Sequence, residues 1–191
     1  MILLVAGVSG SGKTTVGAML AERLHWRFAD GDTFHLAVSI AKMHAGIPLT
    51  DEDRRPWLRA ITAWMDARIA RGESAVVTCS ALKRSARDAL LAGHPEVRMF
   101  FLSVDRDELE RRLGSRHGHF FPERLLGTQL RALEPPQPDE TRVTVVAGGG
   151  DPEETAAAIM AIIRPGERAG QGADQAADQV ADQVESHEAD A

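Results

Sequence analysis

The sequence predicts an α/β fold, a doubly wound five-stranded parallel sheet, and three observations support this prediction. Short apolar runs alternate with longer segments of helical spacing, as expected when each strand is followed by a helix. The runs are apolar almost throughout, which is typical of strands that helices cover on both faces. A glycine-rich stretch joins the first run to the first helical segment. The five predicted strands are residues 1–6, 25–29, 74–79, 97–104 and 143–147.

The helical segments follow from apolar residues spaced three and four positions apart. The third of them has a clear start, because Thr50 is a good N-cap residue and Asp53 stands three positions further on, as in a capping box. Its apolar residues Trp57, Trp64 and Met65 are expected in the core. The predicted helices are residues 15–24, 33–45, 51–69, 84–91, a segment that begins near 105, a segment through 126–133, and 152–163.

The glycine-rich stretch fits the phosphate-binding pattern G-x-x-x-x-G-K-[ST] without a mismatch, between a strand and a helix as the motif requires. Its glycines let successive N–H groups point inward, and the following helix adds its positive end. Lys13 would meet the β- and γ-phosphates, and Thr14 would offer a hydroxyl to Mg²⁺. The alternative is a strand-to-helix turn that binds nothing. The predicted nucleotide-binding residues of this loop are Gly7, Val8, Ser9, Gly10, Ser11, Gly12, Lys13, Thr14 and Thr15.

Two carboxylates follow the second predicted strand, at Asp30 and Asp32 on either side of Gly31. Ligands bind at the carboxyl edge of an open parallel sheet, so these acids would lie near the phosphate loop if the two strands are neighbours. A magnesium–phosphate site needs such oxygen ligands nearby. A simple turn, in which Asp and Gly serve the backbone, is the alternative.

Basic residues follow two later strands. Lys83 comes after the strand at 74–79, where it either lies on a solvated helix face or contacts an anionic substrate or the transferring phosphate.

Arg112 and Arg116 lie four positions apart on one helical face, so both can contact one ligand. An aromatic break and another helix follow, and the whole indicates a helical lid at approximately residues 112–135 that closes over phosphates.

The net charge of −6 is concentrated at the end of the chain. Residues 166–191 carry seven acidic side chains and one basic side chain with few large apolar residues, so we expect this acidic, low-complexity tail to be disordered. Residues 1–165, the predicted folded domain, are neutral overall and have no basic patch that would bind nucleic acid or an anionic membrane.

The single Cys79 fits a reducing compartment, and the apolar start is too short to span a membrane, so a cytoplasmic protein is expected.

These motifs together resemble the bacterial gluconate kinase family, a branch of the P-loop small-molecule kinases that is related in fold to adenylate and shikimate kinases. The resemblance spans residues 1–163, except that Leu36 and Ser39 stand where the family usually has Pro and Asn, and the acidic tail lies outside the family pattern. Beyond the phosphate loop, it rests on Asp30-Gly31-Asp32 with His35, Lys42-Met43 with Gly46, Pro48 and Leu49, residues 51–57, Cys79-Ser80-Ala81-Leu82-Lys83, Gly118-His119-Phe120-Phe121, and Gln129 with Leu133-Glu134-Pro135.

The resemblance implies an ATP- and Mg²⁺-dependent gluconokinase, an enzyme that converts D-gluconate into 6-phospho-D-gluconate and feeds it into carbohydrate catabolism through the pentose phosphate route. Asp32 matches the carboxylate that holds and polarises the accepting hydroxyl, while Asp30 and Thr14 would hold Mg²⁺. Arg112 and Arg116 match a lid pair that contacts adenine and phosphate in related enzymes. The resemblance also implies a homodimer.

By this resemblance, Lys13, Asp32 and Arg116 are the catalytic residues, since Lys13 and Arg116 would spread the negative charge of a loose, in-line transition state. Basic groups are natural partners of a carboxylate, so several of them are candidates for binding the sugar acid. The residues implied to bind the substrate are Asp32, His35, Lys42, Arg54, Lys83, His119 and Gln129.

Two alternatives come from different classes. A kinase for shikimate or a nucleoside monophosphate would share the loop, the lid and the sheet, but it is not expected to carry the Gly-His-Phe-Phe and Cys-Ser-Ala-Leu-Lys segments together. A P-loop nucleotide sensor that transfers no phosphate would not need an acceptor-orienting carboxylate such as Asp32.

Overall fold

The computed structural model describes residues 1–114 and 124–163. Their central feature is a five-stranded sheet in the order β2-β3-β1-β4-β5, in which every neighbouring pair is parallel. This confirms the predicted fold. The strands are β1 (Ile2–Ala6), β2 (Arg27–Ala29), β3 (Ala75–Cys79), β4 (Val97–Ser103) and β5 (Val143–Ala147).

Helices connect the strands and lie against the sheet. A 3₁₀ turn at Gly31–Phe34 follows β2. Thr50 and Asp53 form the predicted capping box at the start of the third helix, since each side chain accepts a hydrogen bond from the other residue's backbone N–H. The helices that precede β5 are α1 (Lys13–Leu24), α2 (Ala37–His44), α3 (Asp51–Ile69), α4 (Arg84–Leu91), α5 (Arg106–Gly114) and α6 (Arg124–Ala132).

Two local predictions are wrong, each because of a local backbone preference. The second strand begins at Arg27 instead of His25, since His25 takes a left-handed conformation (φ 55°) that closes the end of α1. The helix predicted at 33–45 is interrupted at His35 and Leu36, which are both extended. The Asp30 side chain accepts the N–H of Asp32 and thereby stabilises a separate 3₁₀ turn before that break.

The core lies on both faces of the sheet, and β1 at its centre is wholly buried. On one face, β1 packs against Trp57, Ile61 and Met65 of α3 and against Leu90 of α4. Helix α1 packs closely at Gly17, where an added Cβ would lie 2.9 Å from the Cγ2 of Thr78. Burial on both faces therefore explains the continuous apolar character of the strands.

By its internal contacts the chain divides into two units, Met1–Ala156 and Ala157–Ala191. In the first unit residues 152–156 are helical, and in the second residues 157–163 are helical. The predicted division into a domain at 1–165 and an acidic tail at 166–191 stays a prediction, because the tail lies outside the described residues. Within the described part of the chain, no helix has the length and apolar character needed to cross a membrane.

Candidate active site

The phosphate loop connects β1 to α1, and glycine is required at its first position. Gly7 has a φ of 141°, and a Cβ there would lie 2.9 Å from the carbonyl oxygen of Leu102. Gly12, immediately before α1, has a φ of 92°. The Lys13 ammonium donates to the carbonyl oxygen of Val8 at 2.9 Å, so its charge lies over the loop. The positive φ angles at Gly7, Gly10 and Gly12 give the loop the curled backbone that can point N–H groups at an anion.

Asp30 joins the phosphate loop to the end of β2. Its Oδ2 accepts the Thr14 hydroxyl at 2.8 Å, and its Oδ1 accepts the N–H of Asp32 at 3.0 Å and the Thr78 hydroxyl at 3.1 Å. Strand β3 lies between β1 and β2, so the two strands are not neighbours. Asp30 nevertheless contacts Thr14, because the Thr14 hydroxyl at the start of α1 donates to it across the carboxyl edge of the sheet, and Asp32 lines the same cavity.

Gly31 fixes the direction of the two acids. Its N–H donates to Thr78 Oγ1 at 3.1 Å, and its carbonyl oxygen accepts the Trp57 indole N–H at 2.7 Å. A Cβ at this position would lie only 1.9 Å from the Thr78 carbonyl oxygen. Glycine is therefore needed because the backbone passes directly against β3, and Asp30 and Asp32 are held on either side of that contact.

One cavity of about 670 Å³ contains the phosphate loop and both acids. Its wall away from the loop is apolar, and it is formed largely by α2 and the segment that follows. Eleven of the predicted site residues line the cavity: Ser9, Gly10, Gly12, Lys13, Thr14, Thr15, Asp30, Asp32, His35, Arg54 and Gln129. The remaining lining residues are Thr33, Ile40, Met43, Ile47, Pro48, Leu49, Trp57, Ser80, Leu113 and Thr128.

His35 and Arg54 both line this cavity, and the Arg54 charge acts on the His35 ring. The His35 ring stacks on Trp57 with centroids 4.4 Å apart and planes 9° apart. Burial lowers the pKa of His35, Asp32 raises it and the Arg54 charge lowers it further, with a net downward shift. Burial also lowers the pKa of Arg54, which the acids Asp51 and Asp53 partly oppose. Burial therefore favours the neutral form of the His35 imidazole and leaves the Arg54 guanidinium partly desolvated.

Lys42 and Lys83 are both paired with acids of the first turn of α3. Lys42 Nζ lies 2.7 Å from Asp53 Oδ1, and Lys83 Nζ lies 2.7 Å from Asp51 Oδ2. These hydrogen bonds lower the pKa values of Asp53 and Asp51. Neither lysine lines the main cavity; Lys83 instead lines a second cavity of about 270 Å³, which shares Arg54, Trp57 and Ser80 with the first.

Arg112 holds the glycine loop that follows β5. Its Nε donates to Glu108 Oε1 at 2.5 Å, and its guanidinium donates to the carbonyl oxygens of Gly148, Gly149 and Gly150 at 3.0, 2.7 and 3.2 Å. Hydrogen bonds from Arg111 and Arg112 lower the pKa of Glu108 to about 2. The other predicted lid residues, Arg116 and His119, lie outside the described residues, so the lid itself stays a prediction.

Gln129 connects α6 to the phosphate loop. Its Oε1 accepts the backbone N–H of Ser9 at 2.7 Å, across 120 positions of sequence. Leu126, also on α6, packs with Val8 and Leu109. Helix α6 therefore lies against the phosphate loop, and Gln129 both lines the cavity and contacts the loop backbone.

Leu36 and Ser39 are the two residues that differ from the usual family pattern. Ser39 is buried and does not line the cavity, whereas Leu36 is half exposed. Trp57 is in the core as expected, but it also lines the site and holds Gly31, a role that a helical apolar pattern does not reveal. The sequence offered one indication of this role, because Trp57 lies in the 51–57 segment of the family resemblance. In the apolar wall, Met43, Pro48 and Leu49 belong to the motifs of the family resemblance, whereas Ile40 and Ile47 carried no sequence signal.

Thr14 and Asp30 are the residues suited to a divalent cation. Their hydroxyl and carboxylate oxygens are hard donors of the kind Mg²⁺ prefers, and Mg²⁺ commonly takes one or two protein oxygens together with substrate phosphates. Across residues 1–114 and 124–163, the structure contains no group of three or more His, Cys, Asp or Glu side chains placed to hold a metal.

Comparison with known proteins agrees with this arrangement. Residues 2–136 match the family described as AAA domain. The gluconokinase of Gluconobacter oxydans (strain 621H) is 46% identical over 143 residues, covering 75% of this chain and 80% of that protein. The thermoresistant gluconokinase of Escherichia coli (strain K12) is 40% identical over 166 residues, covering 87% of this chain and 95% of that protein.

Solved structures give the same family and a wider fold group. A gluconokinase from Sinorhizobium meliloti 1021 is 44% identical, with a TM-score of 0.71 over 81% of this chain and 86% of that one. The shikimate kinase of Aquifex aeolicus is 17% identical, with a TM-score of 0.53 over 87% of this chain and 98% of that one, so it shares the fold. Identity of 40–46% over most of the chain, together with the phosphate loop and its carboxylates, leads to one conclusion: the protein is a kinase and belongs to the gluconokinase family.

Proposed function

We propose that this protein transfers the γ-phosphoryl group of ATP to the 6-hydroxyl of D-gluconate, giving ADP and 6-phospho-D-gluconate. The observation that carries this proposal is a single cavity that contains both the phosphate loop and Asp32. Relatives named gluconokinase at 40–46% identity support the choice of sugar acid.

On the donor side, the loop N–H groups and Lys13 bind the ATP phosphates and stabilise negative charge as it develops on the transferring group. Thr14 and Asp30 would hold Mg²⁺, which when bound neutralises phosphate charge. Arg112 is proposed to support the nucleoside end, since it orders the glycine loop at 148–150. Arg116 is proposed to bring a second guanidinium to the phosphates when the lid closes.

On the acceptor side, Asp32 accepts the proton of the 6-hydroxyl as the hydroxyl oxygen attacks the γ-phosphorus. A new O–P bond forms, the bond from the γ-phosphorus to the β,γ-bridging oxygen breaks, and ADP leaves in line with the attack. Asp32 can serve in this way because its backbone N–H is bound to Asp30 and Gly31 is held by Thr78 and Trp57. The backbone that carries the Asp32 carboxylate is thus held in place beside the cavity.

Sugar-acid recognition is proposed for the basic and amide groups around Asp32. Arg54 is the natural partner of the gluconate carboxylate, because its guanidinium lines the cavity and is partly desolvated. His35, neutral and stacked on Trp57, is suited to a hydroxyl. The remaining proposed substrate contacts are Lys42, Lys83, His119 and Gln129.

Location and assembly complete the proposal. A cytoplasmic enzyme of gluconate utilisation is proposed from the single cysteine and from the family's role in carbohydrate metabolism. A homodimer is proposed from the family resemblance.

The test is a coupled assay for ADP release with D-gluconate, other sugar acids, shikimate and nucleoside monophosphates as acceptors. We expect turnover with D-gluconate and a product phosphorylated at the primary hydroxyl, identified by NMR. Turnover of another acceptor without turnover of D-gluconate would refute the proposal, and ATP binding without turnover of any acceptor would indicate a sensor.

A further inference from the structure

Helix α4 begins without a cap of its own. Lys83 occupies its N-cap position and makes no side-chain hydrogen bond to the helix, and its first turn contains no acidic residue. The first N–H groups of a helix need acceptors, and a Ser, Thr, Asp or Asn at the N-cap normally supplies one. The Lys83 side chain instead extends to Asp51 on α3.

Glu134, immediately beyond α6, supplies the missing acceptor. Its Oε2 accepts the backbone N–H of Arg84 at 2.7 Å, a charge-assisted hydrogen bond at the positive end of α4. Its own N–H donates to the Leu82 carbonyl at 3.0 Å. Its carbonyl accepts Arg87 Nη1 at 2.9 Å. Glu134 is therefore bound to the start of α4 through three separate groups.

Those bonds are anchored in the interior. The Arg87 side chain is 0% exposed, and it pairs with Glu140, whose side chain is 3% exposed, at 2.6 and 2.8 Å. The same guanidinium donates to the Leu82 carbonyl at 3.0 Å. Leu82 is thus held by both Arg87 and Glu134.

The segment that these bonds hold, residues 80–83, reaches the main cavity at Ser80 and lines the second cavity along its length, and we name it the acceptor loop. Ser80 lines the main cavity, and its carbonyl oxygen accepts the N–H of Gly7 at 3.3 Å. Ala81 has a φ of 39°, a left-handed conformation that is costly for a residue with a Cβ. A strained loop keeps its shape only when its surroundings hold it.

We infer that Glu134 is a positioning residue that caps α4 in place of Lys83 and thereby fixes the acceptor loop. The arrangement leaves the Lys83 side chain to pair with Asp51 on α3, while the cap comes from the segment that follows α6. This inference rests on the proposed function, because it assigns the acceptor loop to the sugar-acid site.

Three variants test the inference. Glu134→Ala removes the cap, Glu134→Gln keeps an acceptor oxygen, and Asp139→Ala removes the exposed carboxylate that pairs with the Arg84 side chain and leaves the cap in place. We expect Glu134→Ala to raise the KM for D-gluconate about fivefold while the KM for ATP stays within about twofold. Glu134→Gln should recover most of the loss, and Asp139→Ala should match the wild type.

Amide hydrogen exchange in peptides covering residues 80–87 gives a readout that needs no substrate. We expect exchange there to be several-fold faster in Glu134→Ala and unchanged in Asp139→Ala. A lower Tm with both KM values and exchange at 80–87 unchanged would overturn the inference, because Glu134 would then be merely structural. If the wild type does not phosphorylate D-gluconate, the proposed function fails, and the exchange data alone decide whether Glu134 fixes the loop.

Discussion

Thr14 and Asp30 are joined side chain to side chain, with Thr14 Oγ1 donating to Asp30 Oδ2 at 2.8 Å. The bond connects the start of α1 with the end of β2, although β3 separates β1 from β2 in the sheet. It places a hydroxyl and a carboxylate together at the edge of the cavity where phosphates would lie. The first prediction follows from this pair.

Asp30→Asn is expected to raise the Mg²⁺ concentration needed for half-maximal rate by about tenfold or more, because an amide is a weaker ligand than a carboxylate. Initial rates over a Mg²⁺ titration at saturating ATP measure the effect, and removal of Mg²⁺ by EDTA should stop turnover of the wild type. Asp139→Asn, distant from the loop, serves as the control. If the rate of Asp30→Asn depends on Mg²⁺ concentration as the wild-type rate does, Asp30 is excluded from the metal site.

Asp32→Asn is expected to lower kcat by roughly a hundredfold or more, because general-base assistance contributes on that scale, while ATP affinity changes little. Steady-state kinetics with D-gluconate gives kcat, and calorimetric titration with a nonhydrolysable ATP analogue gives affinity. An unchanged kcat would remove Asp32 from the mechanism. Equal losses in kcat and ATP affinity would instead indicate a disturbed loop.

Gly31→Ala is expected to destabilise the fold by about 3 kcal/mol or more, because the new Cβ would overlap the Thr78 carbonyl oxygen at 1.9 Å and one of the two backbones would have to move. Gly149→Ala is the matched control, since a Cβ there has open space around it. Urea unfolding monitored by circular dichroism compares the two. Equal stabilities would mean that the chain at Gly31 relaxes without cost.

Glu140→Gln should alter the pH dependence of stability. The Arg87 hydrogen bonds hold the pKa of Glu140 below its usual 4.5, so its stabilising contribution is complete above that pH and is lost as the pH falls through the lowered pKa of the folded state. The variant should therefore be less stable by about 3 kcal/mol at neutral pH, and the difference should shrink below about pH 4.5. Urea unfolding over this range measures both effects, and a difference that does not depend on pH would refute the assignment.

Much of the donor half of the site could be predicted from the sequence because its information is local. The phosphate loop occupies consecutive positions between a strand and a helix, and its residue types follow from the chemistry of binding phosphate. The capping box at Thr50 and Asp53 is equally local, and it forms as predicted. The break at His35 and Leu36 was missed, since an Asp30 side-chain bond competes there with helical continuation.

The sequence by itself determined the alternation of strands and helices, the phosphate loop and the family. The tertiary structure decided which distant residues meet, because strand order is set by packing between elements far apart in the chain. It placed β3 between β1 and β2, pressed Gly31 against Thr78, and put Glu134 at the start of α4. These contacts depend on backbone atoms, which carry no residue-specific signal in the sequence.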